Sequence, residues 1–322
     1  MLYKGKELNH YDCIYAKGSF RYVTLLRSLT HVLINDSYMP IEPEAFTIGH
    51  DKLLTQLHLQ SKSIPMPKTY ISSTSQAAKE ILEKINFPII MKFPHGTQGK
   101  GVMYAESYTS AISMLDALAS LKQPFIIQEF IETNGVDTRA IVIGDKVVAA
   151  MKRRQPNPLE IRANTHAGGI GEFCVLENAQ KKLAVKAAQA AGADICGIDI
   201  LDGMKGPVVI EINLSPGLQG IMKASKLDIP DMIAKFLFKR TCERMSRQDD
   251  KASQDILKEI NGEKEDDSVK EIITNIDFKG ERMLLPPIMT KLTAFDEDSE
   301  VVIKASKGEL SIKRFNVKSP KG

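Results

Sequence analysis

The sequence predicts a mixed α/β (α+β) fold: one large α/β region between a short extended N-terminus and a small β-rich C-terminal module. Three observations carry this. Between residues 48 and 240, short apolar runs alternate with segments of helical periodicity. Residues 241–270 are rich in charge and poor in apolar side chains, and strand signals return from 271. The composition, 43% hydrophobic and 26% charged over 322 residues, is that of an ordinary globular protein with room for two or three compact units.

Taken in order, residues 1–47 read as short extended pieces, with Asp12–Ala16 and Val32–Asn35 as strands and Gly18 and Pro40 as breaks. A helix follows from about Asp51 to Lys62 and stops before Pro65 and Pro67, since proline cannot continue the backbone ladder. A second helix, Ser75–Ile85, opens on a serine cap. The apolar strand Ile89–Phe93 carries one lysine and leads through a glycine-rich loop to Val102–Ala105 and a helix over Thr109–Leu121. This small unit, about residues 87–122, could move as a lid. Phe125–Phe130, Asp137–Ile143 and Lys146–Lys152 read as consecutive strands, the last two joined by a Gly144-Asp145 hairpin turn. After the polar loop Gln155–Gly171 come the helix Ala179–Ala191, the strands Cys196–Leu201 and Val208–Asn213, and the helix Ile229–Lys239. Residues 241–270 read as a charged linker with one short helix near Ile256–Ile260. Residues 271–322, with strands such as Ile272–Ile276 and Val301–Lys304, form a separate module.

Bulk properties exclude several classes. A net charge of +3 does not call for nucleic acid. No apolar run approaches the roughly 20 residues a spanning helix needs, and the N-terminus has no apolar signal core. Cys13, Cys174, Cys196 and Cys242 are widely spaced with no CxxC pair, so a reducing, cytoplasmic setting is expected in place of a disulfide framework.

The strongest chemical cluster is Asp199 on one strand with Glu211 and Asn213 on the next. A spacing of two puts Glu211 and Asn213 on the same side of an otherwise apolar strand. Carboxylates on a buried strand are costly unless paired or metal-bound, and oxygen ligands suit Mg²⁺ or Mn²⁺. On the residues alone, a metal site and a set of strand-end caps are equally good readings. The loop His95–Gly101 has three glycines that would let backbone N–H groups approach a phosphate, although it lacks the Walker pattern and a bare hairpin turn has the same look. Lys92, inside an apolar strand, requires an anion. Lys52, in the first turn of its helix, reads on sequence alone more readily as a solvated surface residue. Arg139, Arg153, Arg154 and Arg162, with Asn164, concentrate forked donors for carboxylate or phosphate between residues 139 and 164.

In order and spacing, KFPHGTQGKGV, IIQEFIE, VDTRAIVIGDKVVAAMKR, IRANTHAGG, GIDIL and VVIEINLSPGLQGI resemble the RimK-like branch of the ATP-grasp ligases. The resemblance implies the ATP-grasp fold over 48–240, ATP, and two Mg²⁺ or Mn²⁺ ions. It implies that Lys52 and Lys92 contact phosphates and that Gly96, Thr97, Gln98, Gly99 and Gly101 belong to a mobile phosphate-covering loop. Gln128, Glu129, Phe130 and Ile131 would form the hinge that reads adenine, and Asp137 would hold the ribose. Arg162 and Asn164 would face the γ-phosphate and acyl phosphate, making them catalytic with Lys92. Asp199, Glu211 and Asn213 would hold the metals. Separately from the resemblance, the basic group Arg139, Arg153 and Arg154 is expected to meet a substrate rich in carboxylates.

Two departures stand out. Met1 nearly begins at a YKGKEL-like segment that relatives reach about sixty residues later, so residues 1–47 are expected to be a remnant of the N-terminal domain or to be completed from elsewhere. Relatives that add glutamate often read HRGG where this chain has His166-Ala167-Gly168-Gly169. Residues 277–314 resemble an AbrB/MazE-like swapped-hairpin module, which implies a homo-oligomer and allows DNA, although nine Lys/Arg against seven Asp/Glu over 277–322 is little charge for a DNA face. The expected activity is amide formation between a carboxylate and an amino acid, glutamate on the strength of the arginines, through an acyl phosphate. The carboxylate would come from a small molecule or a protein C-terminus. The alternative is a nucleotide-sensing, DNA-binding regulator.

Overall fold

A computed structural model describes residues 2–72, 74–94, 101–120, 124–154, 170–261 and 276–315. The chain divides into two units, Met1–Thr241 and Cys242–Gly322.

The first unit opens with a hairpin of β1 (Leu2–Tyr3) and β2 (Lys6–Glu7). Lys4 and Gly5 at its turn both have positive φ, as a two-residue turn of this hand demands. The expected strand Val32–Asn35 is instead the end of helix α1 (Val23–Leu33). Val23, Leu26 and Thr30 recur at helical spacing and turn toward the core, which overrides the local β-branched run. The expected strand Asp12–Ala16 reduces to one bridge, Cys13 to Tyr38.

Helices α2 (Pro43–His50) and α3 (Lys52–Ser61) follow, separated by Asp51. Asp51 caps α3 by accepting from the Leu53 and Leu54 N–H groups at 2.8 and 3.0 Å. Next come β3 (Thr69–Ile71), α4 (Ser75–Leu82), β4 (Ile89–Lys92), β5 (Val102–Ala105), α5 (Tyr108–Ser120) and β6 (Ile126–Glu129). These strands form an antiparallel sheet in the order β3-β6-β4-β5. Helices α4 and α5 build one apolar core on it around Leu82, Ile89, Met91, Leu115 and Ile127.

The remaining elements of this unit are β7 (Val136–Ile143), β8 (Lys146–Arg154), β9 (Ile170–Phe173), α6 (Asn178–Ala190), β10 (Ile195–Gly203), β11 (Gly206–Asn213), α7 (Gln219–Ser225) and the part of α8 (Ile229–Asn261) up to Thr241. The strands form a five-stranded antiparallel sheet, β11-β10-β7-β8-β9. One face packs on α6 through Ala140, Val142, Ala150, Ile198, Ile200 and Ile212. The other face carries Ile141, Ile143, Ala149 and Ile195 against Ile221, Ile229 and Ile233 of α7 and α8. Helix α8 continues to Asn261, well past the expected end at Lys239. No glycine or proline interrupts residues 231–261, and the charge that suggested a linker is equally compatible with a solvated helix.

The second unit holds β12 (Asp277–Lys279) paired with β13 (Arg282–Leu284), helix α9 (Pro287–Thr293), and β14 (Val301–Ser306) paired with β15 (Glu309–Arg314). The two hairpins are separate two-stranded sheets. The expected strand Ile272–Ile276 lies almost wholly outside the described residues.

Candidate active site

Directly opposed residues on neighbouring strands share a face, and along a strand every second residue does. On the face that α7 and α8 cover at one end, Glu211, Asp199 and Arg139 are successive partners across β11, β10 and β7. Two residues along β7, Asp137 faces Arg153 of β8. One face of the sheet therefore passes from an apolar half under two helices to a charged half.

The charged half is tightly bonded. Arg139 donates to both oxygens of Asp199, from Nε at 2.7 Å and Nη2 at 2.6 Å. Arg153 does the same to Asp137, at 2.5 and 2.8 Å, and its Nη2 also reaches Asp199 Oδ2 at 2.8 Å. Burial alone would raise the Asp199 carboxyl, but Arg139 and Arg153 outweigh it and hold the group near 2. Burial, with Asp199 as a like-charged neighbour, pushes Glu211 upward. Burial also raises Asp137 against the pull of Arg153.

Asn213 completes the row at the end of β11, opposite Gly197. A Cβ at Gly197 would lie 3.1 Å from that of Pro216, so the missing side chain is what lets the turn after Asn213 fold over the strand. Among the described residues, Asn213 Nδ2, Ser215 Oγ and His50 Nε2 are buried and find no hydrogen-bond partner. The Asn213 donor, two residues along β11 from Glu211, suits a bound acceptor such as a phosphate oxygen, because buried polar atoms are rarely left unpaired. Asp199, Glu211 and Asn213 offer oxygen donors only. That set suits Mg²⁺, which keeps water and substrate phosphates as its other ligands. Among the described residues no cluster of three or more His, Cys, Asp or Glu forms a metal site, so the set depends on the amide.

Two lysines face this row. Lys92, buried in β4, donates to Gln128 Oε1 on β6 at 2.8 Å, and Gln128 Nε2 donates to Thr69 Oγ1 at 2.8 Å. Burial and then the charge of Lys52 lower Lys92 to about 8, while Glu211 pulls the other way. Lys52 sits in the first turn of α3, and its backbone N–H donates to Pro94 O at 3.0 Å, at the entry to the glycine loop. The far end of that loop is pinned where Phe93 N–H donates to Gly101 O at 3.1 Å. Gly96, Thr97, Gln98, Gly99, Arg162 and Asn164 lie outside the described residues.

The structure thus gathers Lys52, Lys92, Asp137, Arg139, Arg153, Asp199 and Glu211 into one electrostatic cluster. Arg154 is exposed at the end of β8. Arg153, expected at the substrate, is buried instead, with its fork on two carboxylates, and Asp137, expected at the ribose, is held by that same fork. Phe130 of the expected hinge stacks edge-on against Tyr104, centroids 5.1 Å apart. Sequence reasoning missed the partnership of Lys92 with Gln128, since only strand register brings residues 36 apart into contact.

Two antiparallel sheets with a lysine-bearing strand facing a carboxylate–amide row define the ATP-grasp architecture, that of ATP-dependent carboxylate–amine ligases. The chain belongs to the RimK-like ATP-grasp family, whose pattern matches residues 49–237. It is 37% identical over 243 residues to a probable alpha-L-glutamate ligase of Vibrio atlanticus, covering 74% of this chain and 79% of that protein. A probable alpha-L-glutamate ligase of Sodalis glossinidius is 36% identical over 251 residues, 76% of this chain and 83% of that one. Among solved structures, the ATP-grasp ligase PsnB complexed with a minimal precursor superposes with a TM-score of 0.58 at 20% identity, covering 74% and 80% of the two chains. D-alanine–D-alanine ligase from Bacillus anthracis gives 0.53 at 16%, covering 68% and 77%. No helix among the described residues is long and apolar enough to cross a membrane.

Proposed function

We propose that this enzyme uses ATP to activate a carboxylate as an acyl phosphate and joins it to the amino group of glutamate, releasing ADP. The carrying observation is the row Glu211–Asp199 with Asn213 beside it, facing Lys92 and Lys52. The substrate class is supported by relatives described as probable alpha-L-glutamate ligases. Two Mg²⁺ or Mn²⁺ ions held by Asp199, Glu211 and Asn213 would neutralise phosphate charge and polarise the transferred phosphoryl group. Lys52 and Lys92 bind the phosphates, with Gln128 holding Lys92 in place. Residues 96–101 cover the phosphates and exclude water from the acyl phosphate. Residues 128–131 form the adenine hinge, Arg162 and Asn164 attend the transferred group, and Arg139 and Arg154 meet the anionic substrate. The test is ADP release by purified protein over an amino-acid panel with candidate carboxylates, followed by mass spectrometry of the products. Glutamate is expected to stimulate turnover most. Stimulation by a neutral or basic amino acid, with none by glutamate, overturns the donor assignment.

The boundaries 1–47, 48–240, 241–270 and 271–322 remain our domain reading, amended by the helix through 261. We assign the last segment as an AbrB/MazE-like module that joins two copies of the chain. Phe278 is 66% exposed and Ile303 60%, with Leu285, Val302 and Leu310 also open. Isolated two-stranded hairpins are marginal in water, and strands shared between copies would cover these side chains and close the edges. The measurement is solution mass of the full chain beside one ending at Asn261. A dimer reduced to a monomer by truncation is expected, and an unchanged mass overturns the module's role. DNA binding is a weaker corollary, given so small a charge excess.

A further inference from the structure

We propose that Arg139 is an exchangeable counter-ion: in the nucleotide-free enzyme it occupies Asp199 in place of the divalent cation, and it passes to the anionic substrate when cation and nucleotide bind together. The inference rests on reading Asp199, Glu211 and Asn213 as cation ligands.

The two arginines on Asp199 are not equivalent. The Arg153 side chain is only 3% exposed and bonds both Asp137 and Asp199, so withdrawing it would strand a buried carboxylate. The Arg139 side chain is 16% exposed, and among the described residues both of its bonds go to Asp199. Arg139 is the one that can leave. While it stays, it takes one bond from each oxygen of the carboxylate that a cation would need, and Arg153 takes a third.

Charge balance points the same way. Lys52, Lys92, Arg139 and Arg153 stand against Asp137, Asp199 and Glu211, four cations to three acids among the described residues. Such a cluster has no net negative charge to attract a bare divalent ion. The negative charge arrives with the nucleotide's phosphates, so the cation enters with them. A half-buried guanidinium without a partner is costly, so Arg139 gives up Asp199 only where another anion replaces it. The exchange makes Arg139 available to a carboxylate or acyl phosphate only in the loaded site. Metal and nucleotide loading is thereby tied to substrate capture, and an unloaded site offers the substrate no free fork.

The test follows Mn²⁺ binding by electron paramagnetic resonance in the full-length protein, with Mn²⁺ alone and with Mn²⁺ plus a non-hydrolysable ATP analogue. Wild type is expected to hold Mn²⁺ weakly without the analogue. Arg139→Met is expected to hold Mn²⁺ alone at least about tenfold more tightly, because the competing cation is gone. If Arg139→Met melts early, Arg139→Gln decides, since it can still bond Asp199 but carries no charge to compete with the cation. Tighter Mn²⁺ binding than wild type supports the exchange, and unchanged binding overturns it. Should the Arg139 variants match wild type while all bind Mn²⁺ with the analogue, the exchange is wrong and the metal site stands. Should wild type fail to bind Mn²⁺ even with the analogue, or Asp199→Asn bind it as well as wild type, the metal reading itself falls and the exchange with it.

Discussion

Glu211→Gln is expected to lower ATP turnover by about a hundred- to a thousandfold, the loss typical when one principal electrostatic stabiliser is removed. Glu211 is the cross-strand partner of Asp199 and lies within the field of Lys52 and Lys92, so its charge serves the site where phosphates and cations meet. The same substitution is expected to leave the unliganded fold as stable as wild type or slightly more so. Burial and the neighbouring Asp199 hold the Glu211 carboxyl above its ordinary range. A group whose folded-state titration is raised is most favourable below its unfolded pKa and loses stability as pH rises through the folded one. Wherever Glu211 is ionised it therefore opposes folding, and a neutral amide of the same shape relieves that opposition. ADP release and the thermal midpoint, measured on one preparation at pH 7, check both halves. Near-normal turnover in a folded Glu211→Gln protein removes Glu211 from the metal site. A collapsed midpoint removes the electrostatic account.

Much of this site was legible because strand periodicity is a short-range property. The spacing of two between Glu211 and Asn213 and the apolar residues around them put both on one side of a strand, and the structure has them so. Lys92 inside Ile89–Phe93 pointed to an anion, whereas the acceptor the structure gives it is the neutral Gln128 Oε1. Register was not legible. Whether Arg139 meets Asp199 depends on how β7 is paired with β10 some sixty residues later, which no local pattern encodes. For that reason sequence groups the arginines only by nearness, and it takes the structure to show that Arg153 bonds two buried carboxylates. The N-terminal region and the long helix α8 were misread for a different reason. Local cues, a β-branched run at residues 32–35 and a charged stretch after 241, were weighed without the packing that decides them.

The second large effect is expected from Arg153→Leu. Asp137 and Asp199 are both buried, and Arg153 is the bond they share. Deleting one member of a buried ion network leaves the others uncompensated, which typically costs about 3–5 kcal/mol. Here the loss falls on Asp137 most heavily, because Asp199 keeps the fork of Arg139 while Asp137 keeps no such partner among the described residues. The pH dependence separates this from a mere packing defect. In wild type, Asp199 titrates near 2, below its ordinary range, so its contribution is full at neutral pH and fades as pH falls toward 2. In Arg153→Leu, the Asp137 carboxyl, already raised by burial, loses the pull that opposed the rise. It then favours the folded state only when protonated, and stability drops as pH climbs through its elevated pKa. The deficit relative to wild type is therefore expected to be largest near pH 8 and to narrow toward pH 4. Urea unfolding of the two proteins at pH 4, 6 and 8 measures it. A deficit independent of pH would mean that leucine merely packs badly in the place of arginine, and that Asp137 and Asp199 do not depend on Arg153 for their charge.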